Sequence, residues 1–145
     1  MAQVTVVCGP PGSGKSTYVK NRAKSGDLIL DIDTIWQALS GRPYYEKPSA
    51  LMSYVLDTWE SLIDRVDEVE SYHAWIVSSL PLAVDRQRYA DRFNDADIET
   101  QIILLDVNEY DCMDRIAKDE RRAKHVEGWK PIVRRWFDAY EPRIQ

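Results

Sequence analysis

Short apolar runs alternate along the chain with stretches in which apolar residues recur every three or four positions, the pattern of an α/β domain on a parallel sheet. Residues 3–8 (QVTVVC) read as a buried first strand, followed by a Gly/Pro-rich loop at 9–14. A helix is predicted from Lys15 to about Lys24, closed by Ser25 and Gly26, then a second strand over 28–32. A short helix over 33–40 stops at Gly41, and the next stretch, to Ser49, holds two prolines and two tyrosines and is expected to be a loop. Residues 51–72 read as a long amphipathic helix with the apolar stripe Leu51, Val55, Trp59, Leu62, Val66 and Val69. Its acidic face reads as solvated surface. A third strand is expected over 74–77, ending at Ser78 and Ser79, a helix over 82–93 and a fourth strand over 100–107. Two helices close the chain, 108–124 and 131–140. Pro131 suits the first turn of the last one, with Ile132, Val133, Trp136, Phe137 and Tyr140 as its buried stripe.

At 145 residues the chain is expected to form one domain, residues 1–145. Hydrophobic residues make up 44% and charged residues 30%, ordinary proportions for a globular protein. Cys8 and Cys112 are far apart in sequence, and His73 and His125 form no cluster, which argues against disulfide scaffolds and zinc sites. The stretch before the loop has no cationic leader, and no apolar run reaches membrane-spanning length, so a cytoplasmic location is expected. The net charge of −5 argues against broad coverage of duplex phosphates but leaves room for a local basic groove, since nine Lys and Arg fall between Arg115 and Arg143.

Gly9-Pro10-Pro11-Gly12-Ser13-Gly14-Lys15-Ser16-Thr17 matches the phosphate-binding loop pattern G-x-x-x-x-G-K-[ST] in full, with a strand before it and a helical pattern after it. Gly12 and Gly14 let successive backbone N–H groups turn inward towards anionic oxygens, and the helix adds the positive end of its dipole. Lys15 supplies an ammonium for the β- and γ-phosphates of ATP, and Ser16 a hydroxyl ligand for Mg²⁺. A GTPase switch is excluded, because no Asp precedes any of the six glycines by three positions. Asn108-Glu109-Tyr110-Asp111 departs from the guanine-reading pattern and reads as a helix cap. An AAA-type motor is expected to need a longer chain and a second subdomain.

A kinase needs a phosphate cradle, a base for the acceptor hydroxyl and a cationic lid, and each has a candidate. Asp31 and Asp33 lie two apart at the end of the second strand, where such a face opens on the ligand crevice of a parallel sheet. Asp33 is the candidate general base, or a helix cap, and Asp31 a candidate for the magnesium shell. Arg115, Lys118 and Arg122 fall at i, i+3 and i+7, one face of a helical lid spanning about 112–128, with Arg121 one step round. Ser78 and Ser79 occupy the place where many P-loop proteins carry a metal-holding Asp.

With these residues in place, the chain resembles the kinase domain of phage polynucleotide 5′-kinases and their small P-loop relatives. The resemblance is sharp at Gly9 to Thr17 and fainter at residues 30–39, 78–92 and 115–140. It implies a three-layer α/β fold like that of nucleoside-monophosphate kinases, with sheet order 2-3-1-4, and transfer of the γ-phosphoryl of ATP·Mg²⁺ to a 5′-hydroxyl. It further implies Asp33 as the base and Arg122 or Arg121 on the phosphates. One departure is Trp36, where that family usually places an arginine for the acceptor phosphate. Arg42, Arg86 or Arg88 are candidates to replace that charge, while Trp36, Tyr44 and Tyr45 offer faces to stack a base. The Asp-x-Asp also resembles shikimate-type and gluconate-type kinases, which makes a small metabolite or nucleoside the competing acceptor. A non-catalytic nucleotide-binding module or slow ATPase is the alternative of another class. A phage protein would work in the host cytoplasm, and neither a membrane nor an obligate protein partner is expected.

Overall fold

Val4 to Cys8 are buried without interruption, which requires a strand covered on both faces and flanked on both sides. The computed structural model, which describes residues 3–68 and 73–142, places β1 (Gln3–Cys8) in that central position. It pairs in parallel with β3 (His73–Val77) on one side and β4 (Glu99–Leu104) on the other. β2 (Leu28–Asp31) lies beyond β3, giving the expected order β2-β3-β1-β4. All pairings are parallel, so the four strands end at one edge of the sheet.

Side chains alternate across the sheet with period two and feed two cores. Val4, Val6, Leu30, Ala74 and Ile76 face one side, packing against Trp59 and Ile63 of α3 (Met52–Asp64) and Phe93 of α4 (Ala83–Asp95). Ile32 and Ile35 of α2 (Ile32–Ser40) join that layer. On the other side Val7, Trp75 and Val77 meet Val19 of α1 (Lys15–Arg22). A third cluster, Cys112, Ile116, Trp129 and Val133, holds α5 (Glu109–Lys118) against α6 (Val126–Ala139). No helix among the described residues is long and apolar enough to cross a membrane.

Three expected elements change shape. The long third helix is shorter at both ends: a 3-10 turn at Ser49–Leu51 precedes α3, and a second at Val66–Glu68 follows it. The chain leaves helical geometry after Asp64 yet keeps Val66 buried against the sheet. Val69 and Tyr72 lie outside the described residues. The helix expected over 108–124 ends at Lys118, because Asp119 takes an extended conformation and accepts from the backbone N–H of Arg121. Arg115 and Arg122 therefore do not share one helical face. The last helix begins at Val126, five residues before Pro131, so Pro131 sits inside it. The carbonyl that Pro131 leaves without a donor, on Glu127, is on an exposed turn where water can serve it.

Phe93 is 1% exposed in the larger core, and Phe93→Ala should cost about 3–5 kcal/mol. In urea titrations the midpoint is expected to fall with little change in the denaturant slope.

Candidate active site

The phosphate-binding loop follows from the end of β1. Gly12 (φ 82°) and Gly14 (φ 90°) both take the left-handed backbone that other residues avoid. A side chain at Gly12 would also collide with the Cys112 carbonyl at 2.7 Å, because α5 packs directly on the loop. α1 starts at Lys15 with no side-chain cap and no acidic residue in its first turn, leaving its N-terminal amides free for an anion. The Lys15 ammonium donates to the carbonyls of Gly9 (2.9 Å) and Pro10 (3.0 Å) along the loop's rim. Burial lowers its pKa to about 8, opposed by the nearby carboxylates of Asp33 and Asp31. Arg115 reaches over from α5 and donates to the Ser13 carbonyl at 2.8 Å.

Across the cleft stands the end of β2. Asp31 caps α2 by accepting from the Asp33 N–H (3.0 Å) and accepts from the Ser16 hydroxyl (3.0 Å). Burial first, then repulsion from Asp33, raises its pKa. Asp33 lies in the first turn of α2, not in the strand, and pairs with Lys47 at 3.5 Å. The cap expected of Asp33 is thus supplied by Asp31, and the Asp33 carboxylate is left to face the cleft.

The third wall comes from the segment after α5. Asp119 gathers both arginines: Arg121 donates through Nε and Nη2 (3.3 and 3.2 Å), Arg122 through Nε (3.1 Å). The hydrogen bonds from Arg121 above all, helped by the charge of Arg122, depress the Asp119 pKa to about 2. The Arg122 guanidinium also lies over the Trp129 ring, 5.7 Å from its centroid. The cleft bounded by these walls measures about 540 Å³, within the usual range for small-ligand sites. Its lining includes Gly12, Gly14, Lys15, Ser16, Asp31 and Asp33, with Lys47, Tyr44, Asp119, Arg121, Arg122 and Trp129. Ser78 and Ser79 form part of its floor.

The AAA-domain family matches the chain over residues 4–141. The chain belongs to that family. No curated relative matches the sequence. Among solved structures the domain is similar to a gluconokinase from Sinorhizobium meliloti, at 15% identity and TM-score 0.59, covering 97% of this chain and 75% of that one. It is similar to the tunicamycin resistance protein of Deinococcus radiodurans, at 14% identity and TM-score 0.54, covering 100% and 86%. The APS kinase of Mycobacterium tuberculosis, solved with AMPPNP and APS, aligns at 21% identity and TM-score 0.55, covering 88% and 75%. At these identities the likeness is one of fold. An AAA-type motor was set aside for its longer chain and second subdomain; the family match covers the P-loop domain at residues 4–141, and the site must carry the chemistry.

This AAA domain does not bring every expected residue to the cleft. Trp36 is 5% exposed and packed inside, so it offers no face for stacking. Arg86, 7% exposed, spends its guanidinium on the carbonyls of Leu80 (2.9 Å), Pro81 (2.9 Å) and Glu141, and so shapes the turn after β3 instead of meeting an acceptor. That turn needs support, since Leu80 takes a left-handed φ of 35°. Arg42 pairs with Glu46 and Arg88 with Asp85, both outside the cleft lining, and Lys118 pairs with Asp114. Gly9 is occupied by Lys15 and by the Ser79 carbonyl, which accepts from its N–H at 3.3 Å. The Ser13 hydroxyl is buried beneath the loop with no hydrogen-bond partner among the described residues. Pro11 and Thr17 do line the cleft.

Lys47, Asp119 and Trp129 are among the cleft residues that sequence reasoning passed over, as are Thr34 and Gln37. Trp129, Val133 and Trp136 fall at i, i+4 and i+7. That spacing marks a helix beginning before Pro131 and was the available signal.

The pKa of Lys15 has a direct consequence for nucleotide binding. In the free protein Lys15 loses its proton as pH rises through about 8, whereas a bound triphosphate favours the charged form. ATP binding therefore takes up a proton above that pH. The dissociation constant for ATP, measured by calorimetry, should rise about tenfold per pH unit from pH 8 towards the pKa of the complex. Lys15→Met should bind more weakly throughout and lose that pH dependence.

Proposed function

We propose that the protein is an ATP-dependent phosphotransferase that moves the γ-phosphoryl group of ATP to an alcohol, with Asp33 as general base. The observation that carries this reading is the placement of Asp33, which lines the same cleft as the phosphate-binding loop from the opposite wall. The loop amides and Lys15 would hold the β- and γ-phosphates, and Asp33 would take the acceptor's proton as its oxygen forms a bond to the γ-phosphorus. The bond from phosphorus to the bridging oxygen then breaks and ADP leaves. Arg121 and Arg122, on leaving Asp119, would neutralise charge on the group in flight.

Mg²⁺ fits the donor set. Ser16 and Asp31 present a hydroxyl and a carboxylate oxygen side by side, hard ligands of the kind magnesium uses together with water and substrate phosphates. No group of three His, Cys, Asp or Glu suited to a metal occurs among the described residues. Bound there, the ion would supply Lewis-acid neutralisation of the triphosphate.

A small hydroxylated molecule is the acceptor that the site supports best. A polynucleotide end would draw on stacking faces and spare cations, and of Trp36, Tyr44, Arg42 and Arg86 only Tyr44 reaches the cleft. Two proteins of like fold are named as kinases, a gluconokinase and an APS kinase, which supports the same class. Tyr44 favours the second reading, a 5′-hydroxyl polynucleotide end stacked by its terminal base.

Label transfer from γ-labelled ATP to polyols, sugar acids, nucleosides and 5′-hydroxyl oligomers tests the proposal. Labelled small alcohols with unlabelled oligomers are expected, and the converse would favour the polynucleotide reading. Asp33→Asn should lower kcat by about 10²–10⁴ while leaving the Kd for ATP within a few-fold. Unchanged ATP turnover in that variant, with no acceptor labelled, would leave a nucleotide-binding module or slow ATPase.

A further inference from the structure

Lys47 is the charged residue of the cleft lining that the mechanism does not yet use. It is the cation on the acceptor side of the cleft, since Lys15 is held by the phosphate-binding loop and Arg121 and Arg122 by Asp119. Its position is built into the fold. Pro48 restricts Lys47 to extended backbone, and the Pro48 carbonyl accepts from the Leu51 N–H at 3.0 Å, at the turn into α3. Tyr44 and Tyr45 anchor the same loop on Trp129 of α6, each with ring centroids 6.1 Å from it. Lys47 thus stands over Asp33 on a loop pinned at both ends, 3.5 Å from the carboxylate.

That contact conflicts with the role of Asp33. A base must turn an oxygen towards the acceptor hydroxyl, and once it has taken the proton its carboxylate is neutral. Lys47 then loses its counter-charge in the step where the site needs balanced charge. An acceptor that brings its own anion removes the conflict, because the anion pairs with Lys47 and frees Asp33 as it binds. Resting on the phosphotransferase reading above, we propose that Lys47 determines acceptor specificity by holding a carboxylate or phosphate of the acceptor, so that the substrate is a hydroxylated anion. The same pairing makes the base available only when the right acceptor is present.

The test uses matched pairs that differ in charge alone: sugar acids of three to six carbons against the corresponding sugar alcohols, and polyol monophosphates against the free polyols. Transfer of the γ-label is measured with wild type, Lys47→Met and Lys47→Arg. Wild type is expected to favour the charged member by at least about tenfold in kcat/KM, the value of one well-formed ionic contact. Lys47→Met should lose that preference through the acceptor KM more than through kcat, and Lys47→Arg should keep most of it. A preference that survives in Lys47→Met, or equal use of both members by wild type, overturns the role of Lys47 and leaves the phosphotransferase reading standing. Transfer to no member of any pair, nor to oligomers, overturns both.

Discussion

The separation of β1 from β2 by a single intervening strand is the constraint on which the site depends. Both strands end at the same edge of a parallel sheet, so their following loops face one another across β3. Two strand spacings place those ends roughly 10 Å apart, a gap that side chains can bridge around a phosphoryl group and a hydroxyl. Ser16 already spans it to Asp31 at 3.0 Å. β3, in the gap, ends in Ser78 and Ser79, whose short side chains leave the floor open. Strands adjacent in the sheet would have left no room, and an antiparallel pair would have sent the two loops to opposite ends.

Each cation of the cleft already has a partner before any ligand arrives. Lys15 sits within the field of Asp31 and Asp33, Lys47 pairs with Asp33, and Arg121 and Arg122 share Asp119. An acidic protein with net charge −5 can in this way keep five cleft-facing or cleft-adjacent cations, Arg115 included, without holding them unpaired in a low-dielectric pocket. Binding a polyanion then becomes an exchange of partners. The carboxylates that held the cations at rest are released when phosphate takes their place, and one of them, Asp33, is placed beside the acceptor.

Much of this was legible in the residues. The loop at Gly9 to Thr17 carries its own strand and helix context, and the unbroken burial of β1 and β3 follows from apolar runs with few polar breaks. The sheet order agreed with expectation. Reading failed where one residue redirected the chain. Asp119 ends α5 by capping the turn that carries Arg121 and Arg122, so a helical-wheel argument joined Arg115 to Arg122 across a break. Pro131 pointed to a helix start, but a five-residue lead from Val126 with buried Trp129 outweighed the lost hydrogen bond. Trp36 and Arg86 resembled ligand residues in type and position, and only packing reveals that one is core and the other a clasp for three carbonyls. Lys47 gave no periodic signal, since a loop has none.

Everything chemical in this account turns on where the Asp33 carboxylate lies when the nucleotide and acceptor are both present. A crystal structure with Mg²⁺, a non-hydrolysable ATP analogue and an acceptor identified by label transfer measures that position directly. The account predicts the acceptor hydroxyl about 3 Å from an Asp33 oxygen and in line with the γ-phosphorus, with Ser16 on the ion. Asp33 turned into the protein or still clasped by Lys47, with the hydroxyl served by another group, would contradict it.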